Sequence, residues 1–435
     1  MGKKAASDFR YDTGATRVPW KAVGEAVNTD DIMALIQFLV PSEKAGYARQ
    51  INHVRAEVEK LAAMGRPAAK LSLGGKVAEL EEEVRKFLKV KYAALLTNAT
   101  AGFEIAHKFA GLQPGDEVIA PAITFCSTVS YPLSIGARVV LADVDPVTLN
   151  IDPRDIERKI TRRTRVIMAV HLGGYPCDMD PIMRLARRHD ITVIEDAAHA
   201  FGARYKGRMV GTIGHFGSFS FHEVKNITSM GEGGVVVTNL PCGADLAKAR
   251  FVGLDIAHTI PLWLYDVVAI KGKGNRYVAA GNHSATELQA VGLLSQMKRL
   301  KQTIAARKQA AEYLSRRFRG VPGLVPPPMD TREIRSTHHL YLIQVDPAQL
   351  TGDVQAFKKK LAEKGVTQIP HFAPLYRFSY MRQLGHDTQA MARSCPHAEE
   401  AFLHRFTHLP LYPLTPDQLE YMADAVVEAA TALRR

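Results

Sequence analysis

Residues 219–234 read FSFHEVKNITSMGEGG. A run of small and aromatic residues ends by presenting one lysine, Lys225. Ser220 stands five positions before it, and a Gly-Glu-Gly-Gly bend follows. A surface lysine needs no such setting, whereas a lysine that must reach a bound group does. The glycines let backbone pass close behind such a group without side-chain clash.

On either side of this stretch, short apolar runs alternate with amphipathic or turn segments. The runs are AALLTN, EVIAPA, ARVVLADV, RVIMAVHL, TVIEDA, GSFSFH and GGVVVTN, and most are separated by segments such as DIERKI and MDPIMRLARRHD. Strands buried on both faces and joined by helices make a mostly parallel sheet covered on both sides. The expected class is therefore α/β, with chemistry at the carboxyl ends of the strands. Residues 29–65 read as two helices, the first capped by Thr29 and stopped by Pro41. The second carries an apolar stripe of Ile51, Val54, Val58 and Leu61 and ends at Gly65-Arg66-Pro67. A long helix is expected over 281–318, with a capping box from Ser284 to Glu287. From about Val321 a smaller α+β unit follows, with HHLYLIQV as a strand and TPDQLEYMADAVVEAATAL as the closing helix. The division is 1–68, a helical extension; 69–320, a large domain; and 321–435, a small C-terminal domain.

Polar residues gather where the predicted strands end. Thr97, Asn98 and Thr100 stand where a strand turns into a helix, and free N–H groups at Ala99–Gly102 suit a phosphate. Ser220 can add a hydroxyl to that phosphate. Phe125 can stack on one face of a planar ring, with Ala198 under the other. Asp196 can pair with a protonated ring nitrogen, and Lys225 can condense with an aldehyde. A lysine and an acidic partner for a pyridinium nitrogen are the protein's part in pyridoxal phosphate chemistry. Each residue alone has an ordinary reading: Phe125 as core, Asp196 as a turn residue, Lys225 as a solvated cation. His171, at the end of its strand, is either a hydrogen-bonded sheet-end histidine or a site residue. The ordered set TNATAG, TF, EDAA, SFxxxK and GEGG is what singles out the site.

Composition narrows the partners. With 46% hydrophobic residues, the 435-residue chain can bury a large core and is not of disordered type. The net charge of +12 favours anionic small molecules, but the basic residues are scattered rather than gathered in a nucleic-acid stripe. The four cysteines show neither CxxC nor metal-ligand spacing, so no metal site is expected and a reducing cytoplasm is. No apolar stretch suits a signal peptide or a membrane span.

TNATAG, VHLGGYPCDMDPIMRLA, VIEDAAHAFGARYKG and GSFSFHEVKNITSMGEGGVVVTN resemble the DegT/DnrJ/EryC1/StrS sugar aminotransferases, fold-type I pyridoxal phosphate enzymes, from about residue 70 onward. The resemblance implies a large domain with a seven-stranded sheet, a smaller C-terminal domain, and a homodimer with shared sites. It implies that Lys225 carries the cofactor, Asp196 holds the pyridinium, and Ser220 binds phosphate. Ala99, Thr100 and Ala101 then match the phosphate turn, Phe125 the aromatic ring neighbour, and His199 a cofactor-side position. Asn282 matches an asparagine that reaches the other subunit's phosphate. The implied reaction moves an amino group from glutamate or glutamine to a keto-sugar, nucleotide-linked in the leading reading, in amino-sugar and polysaccharide biosynthesis. Cyclitol ketones are an alternative acceptor.

Departures from the family pattern are Ala99 in place of glycine, GHFG at 214–217 in place of Gly-Asp-Ile-Gly, and IPHFAPLY ending in Tyr376. His338, His339, His371, Tyr376 and Arg377 are candidate substrate contacts. Two rival functions use the same fold. A deoxysugar dehydratase of this family carries histidine where Lys225 stands, and the lysine argues against it. A regulator that binds cofactor without turnover would need a recognition element that the sequence does not display.

Overall fold

The seven apolar runs form one sheet in a computed structural model, which describes residues 26–65, 70–263, 265–411 and 413–435. The strands are β1 (Tyr92–Leu96), β2 (Glu117–Pro121), β3 (Arg138–Ala142), β4 (Thr164–Val170), β5 (Thr192–Asp196), β6 (Phe216–Ser220) and β7 (Gly234–Thr238). Their order across the sheet is β1-β7-β6-β5-β4-β2-β3. Pairs among β2 to β6 are parallel, and β7 runs antiparallel to both β1 and β6.

Successive side chains leave a strand on opposite faces, which explains the unbroken apolar runs. Leu96, Val118, Val166, Ile194 and Val236 enter one core, and Leu95, Ile119, Ile167, Val193 and Val235 enter the other. The first core is roofed by α4 (Ala99–Phe109) through Phe103, Ile105 and Phe109. The second is roofed by α3 (Gly75–Leu88) and α7 (Met179–His189), whose Leu80, Val84, Ile182 and Leu185 pack on it. The connections β2–α5 (Ser127–Ser134)–β3 and β3–α6 (Pro153–Lys159)–β4 complete the doubly wound pattern.

Two helix readings shift. The stretch 281–318 is two helices, α8 (Glu287–Met297) and α9 (Leu300–Phe318), broken at Lys298–Arg299. The capping box is Thr286 with Gln289, not Ser284 with Glu287. Ser284 pairs in extended form with Leu96, so the chain there is still strand-like. The Glu287 carboxylate instead accepts from the Gly74 and Lys76 N–H groups at 2.6 and 2.7 Å, closing the start of α3. At the amino end, α1 (Thr29–Leu39) is capped by Asn28, with Asp31 completing the box, so Thr29 is the first helical residue. Helix α2 (Tyr47–Met64) ends at Gly65, while Arg66 and Pro67 lie outside the described residues. No α2 side chain is fully buried, and Leu61 is exposed, so the stripe is only partly covered.

The carboxyl-terminal part has its own core. A three-stranded antiparallel sheet of β8 (Leu324–Val325), β9 (Tyr341–Val345) and β10 (Phe406–Leu409) packs with α9, α10 (Val354–Glu363) and α11 (Pro416–Ala432). Its apolar cluster runs from Ala311 to Leu433. Segments leading into β9 and β10 reach back to the large sheet's carboxyl edge, and that contact makes the cleft.

Candidate active site

Helix α4 begins where β1 ends because Asn98 caps it, its side-chain oxygen accepting from the Ala101 N–H at 2.9 Å. The N–H groups of Ala99 and Thr100 have no hydrogen-bond partner among the described residues. A helix start with free N–H groups is a built anion site. Its floor is tight. Ser218 donates to the Ala99 carbonyl at 3.0 Å. A Cβ on Gly102 would stand 2.2 Å from Ser218 Oγ, and one on Gly234 would stand 2.3 Å from the Asn98 carbonyl carbon. The last glycine of the opening motif is thus required by the close approach of β7 to the α4 turn. Ser220, at the end of β6, accepts from the His222 N–H at 3.3 Å.

Asp196 closes β5 and is 5% exposed. Its Oδ2 accepts from Thr128 Oγ1 at 2.8 Å, and its Oδ1 from the Ala198 N–H at 3.2 Å. Thr128 in turn touches Thr124 Oγ1 at 2.8 Å. Burial raises the Asp196 carboxyl above its ordinary value, against the lowering pull of these donors and of Lys225. Lys225 makes no side-chain hydrogen bond or ion pair among the described residues. Burial lowers its amine from 10.5 to about 8, with Asp196 pulling the other way. A carboxylate short of a cation and a lysine short of an anion thus share one cleft. A group carrying a cationic ring nitrogen, an aldehyde and a phosphate satisfies Asp196, Lys225 and the α4 turn at once.

The far wall is made of rings. Phe125 is 55% exposed, which removes its reading as core. Its ring centroid lies 5.7 Å from that of Phe372, which lies 6.0 Å from His199. His199 lies tilted against His339 at 4.6 Å and accepts from the Gly173 N–H through Nδ1 at 3.3 Å. Burial and then, for His199, the Lys225 charge hold both imidazoles well below the usual histidine value, so both are neutral. His339 Nδ1 meets Asn226 Oδ1 at 2.9 Å, linking the segment before β9 to the residue after Lys225.

The remaining sequence candidates divide. Ala198, His199, Ser220 and Lys225 line one small pocket. Asn282 bonds to the Ser284 N–H at 3.2 Å and touches none of those four through a hydrogen bond among the described residues. His171 is fully buried, with Nε2 on Glu195 at 3.1 Å and Nδ1 accepting from the Cys177 N–H at 3.0 Å. It is the hydrogen-bonded sheet-end histidine. Tyr376 and Arg377 are not free for substrate: Tyr376 donates to Glu399 at 2.6 Å, and Arg377 pairs with the same carboxylate. His338 is buried against Asp330 at 3.2 Å. His215, standing for the family's acid, accepts from the Val193 N–H through Nδ1 at 2.9 Å and so continues the backbone pairing beside β5.

Sequence reasoning missed four contributors. Thr128 follows Phe125 by three residues and so had a local signal, a hydroxyl in the first turn after the strand. Glu195 accepts from the Gly211, Ile213 and Gly214 N–H groups at 2.7, 2.6 and 2.5 Å and pins the turn before β6. Phe372 and His408 had no local signal, because their place depends on how the carboxyl-terminal unit docks. Among the described residues, no group of three or more His, Cys, Asp or Glu is placed to hold a metal.

Known proteins match this arrangement. The DegT/DnrJ/EryC1/StrS aminotransferase family model matches residues 53–427. The spore coat polysaccharide biosynthesis protein SpsC of Bacillus subtilis is 35% identical over 82% of this chain and 90% of its own length. GDP-perosamine synthase of Caulobacter vibrioides is 33% identical over 74% of this chain and 83% of its own. Among solved structures, Spr1654 of Streptococcus pneumoniae, assigned as a sugar aminotransferase and solved in PMP and PLP forms, superposes with TM-scores of 0.73 and 0.72. It is 27% identical, and the match to the PMP form covers 87% of this chain and 97% of that one. With its sheet, its strand-end lysine and its strand-end aspartate in the expected order, the chain belongs to the DegT/DnrJ/EryC1/StrS aminotransferase family.

Proposed function

We propose that this aminotransferase moves an amino group from glutamate or glutamine to a nucleotide-linked keto-sugar, with pyridoxal phosphate as cofactor. The observation that carries the reading is Lys225, its amine lowered to about 8 in the cleft it shares with Asp196. The kinship to a protein solved in PLP and PMP forms supports the cofactor. The kinship to a GDP-perosamine synthase and the net charge of +12 support an anionic nucleotide-sugar acceptor.

When bound, pyridoxal phosphate supplies an aldehyde for amines and an electron-withdrawing ring. The chain's own part is as follows. The Ala99 and Thr100 N–H groups hold the phosphate, and Ser220 adds its hydroxyl. Ala101 contributes through its place in the same turn, its own N–H being held by Asn98. Asp196, kept in place by Thr128 and the Ala198 N–H, holds the proton on the ring nitrogen. Phe125 and Ala198 confine the ring, with His199 beside it. Lys225, near half-neutral at pH 8, takes a proton from the substrate Cα and returns one. Asn282 serves the site of a second copy in a homodimer. The 1–68, 69–320 and 321–435 division belongs to the same reading; the separate carboxyl-terminal core supports a small unit, with its edge earlier than 321 because Ala311, Leu314 and Phe318 of α9 already pack in it. So does a cytoplasmic place; among the described residues, no helix is long and apolar enough to cross a membrane.

The test is borohydride reduction of the purified, cofactor-loaded protein followed by peptide mapping. A pyridoxyl group on Lys225 is expected, and an adduct elsewhere or none overturns the reading. Glutamate and glutamine are then offered singly with a panel of nucleotide-linked and carbocyclic ketones. Turnover restricted to the carbocycles would replace the sugar acceptor.

A further inference from the structure

His371 and His408 face each other Nδ1 to Nδ1 at 2.9 Å, with ring centroids 4.9 Å apart. Two nitrogen lone pairs do not meet at that distance; a proton lies between them. The two residues are held very differently. His408 sits within β10, where its backbone N–H donates to Ile369 at 2.8 Å and its residue pairs with Leu342 of β9. His371 lies on the irregular crossing between Ile369 and Pro374, the next point at which the chain pairs, there with Ile123. Its ring also meets Phe372 at 5.0 Å, and so joins the cluster of rings that includes Phe125 and His199, near enough to Lys225 to feel its charge.

We propose that His408 is a positioning residue of the aminotransferase site: through the shared proton it fixes the tautomer and orientation of His371, leaving His371 Nε2 as the imidazole nitrogen offered to the substrate. The inference rests on the aminotransferase reading for what His371 meets, but the geometry of the pair stands without it. The charges acting on the pair are Lys225 on His371 and Arg307 on His408, with His371 also acting on His408, and each adds to burial in disfavouring an imidazolium. The remaining imidazoles of the cluster, His199 and His339, are neutral as described. One proton shared within a neutral pair leaves the two rings in opposite tautomers. A strand-anchored histidine thereby imposes a hydrogen-bonding state on a loop-borne one, as outer partners do for ligating histidines in metal sites.

The test compares His408→Leu with His408→Gln in the holoenzyme. The glutamine amide restores a hydrogen-bonding partner, and the leucine does not. For H408L, kcat is expected to fall about tenfold, near the value of one hydrogen bond, with melting temperature and cofactor absorbance unchanged. H408Q is expected to recover to within about threefold of the parent. The acid limb of the kcat profile should move in H408L and return in H408Q. A second readout needs no turnover: in cofactor-free protein labelled with ¹⁵N-histidine, His371 should show one tautomer in the parent and a mixture in H408L. In H408Q its Nδ1 should keep a hydrogen-bonded shift, because an amide both donates and accepts and so holds the ring without choosing the tautomer. Parent-like kcat and a single tautomer in H408L overturn the proposal, as does H408Q as impaired as H408L. Should H408L not fold, the His371 Nδ1 shift in H408Q decides alone: a hydrogen-bonded value is expected and a free one overturns the proposal. A parent protein that fails to turn over any ketone would sink the aminotransferase reading and leave the ¹⁵N result to judge the pair.

Discussion

The cleft has two sides of unlike origin. On the sheet side, Asn98, Asp196, Ser220 and Lys225 each lie at or just beyond the carboxyl end of a strand, and most are fixed by bonds to neighbours a few residues away. On the opposite side, His339, His371, Phe372 and His408 come from segments joined only by the docking of the carboxyl-terminal unit. Short-range fixation suits groups that must meet an invariant cofactor. Fixation through docking suits groups that meet a substrate, because a shift of one unit moves them together. Changes on the sheet side should therefore damage cofactor chemistry outright, and changes on the far side should be milder.

The largest expected effect concerns Lys225. Only a neutral amine attacks an aldehyde, and the lysine's folded value lies below that of a free lysine, about 8 against 10.5. Its neutral form therefore appears as pH rises through 8. At pH 8 the neutral fraction exceeds that of an ordinary lysine by roughly 150-fold. The rate of reconstitution of cofactor-free protein with pyridoxal phosphate, followed by absorbance, should rise to a plateau with a midpoint near 8. A midpoint near 10.5 would remove the desolvated lysine from the sheet side. Next comes Asp196→Asn, which keeps the Thr128 contact and loses the charge. Its kcat should drop on the order of 10²-fold with cofactor still bound; unchanged kinetics would strip Asp196 of its place.

The same contrast accounts for what was legible in the sequence. The seven strands could be read because most of their residues are buried and apolar on both faces, apart from exposed Arg138 and Arg165 and the buried carboxylates Glu117, Glu195 and Asp196, and the strand-end residues followed from their positions. The capping box at 284–287 misled because an extended pairing with Leu96 takes Ser284, and a distant helix start takes Glu287. Those are tertiary demands that a four-residue pattern does not carry. Tyr376 and Arg377 misled for the same reason, since Glu399 lies on a later segment. The ring wall was partly seen: His199, His339 and His371 were named, but Phe372 and His408 were not, and His408 stands 37 residues beyond the His371 it meets.

Two smaller changes sharpen the division of the cleft. Gly234→Ala puts a methyl carbon 2.3 Å from the Asn98 carbonyl carbon, and the neighbour is backbone that yields little. Strain of about 1–3 kcal/mol is expected. It should appear as a weaker pyridoxal phosphate affinity by equilibrium titration together with a lower melting temperature. Parent-like affinity would mean that the α4 turn tolerates movement and is not the phosphate cradle. Thr128→Val removes one bond to the Asp196 carboxylate at nearly constant volume. The expected loss is about tenfold in kcat with the fold intact. A loss as large as that of Asp196→Asn would instead show that the carboxylate turns away once the hydroxyl is gone.

Tyr376→Phe gives the smallest effect and probes the boundary between site and scaffold. Tyr376 is buried and donates to Glu399 at 2.6 Å, and Glu399 also pairs with Arg377. Removing the hydroxyl leaves the carboxylate its arginine partner, so the group is not orphaned, and the cost is about 1 kcal/mol of stability. Denaturant unfolding should register that loss, while KM for both amino donor and keto acceptor stays at the parent value. An increase in acceptor KM without loss of stability would bring Tyr376 into the cleft after all. The carboxyl-terminal unit would then contribute a second substrate-facing segment beyond the ring wall.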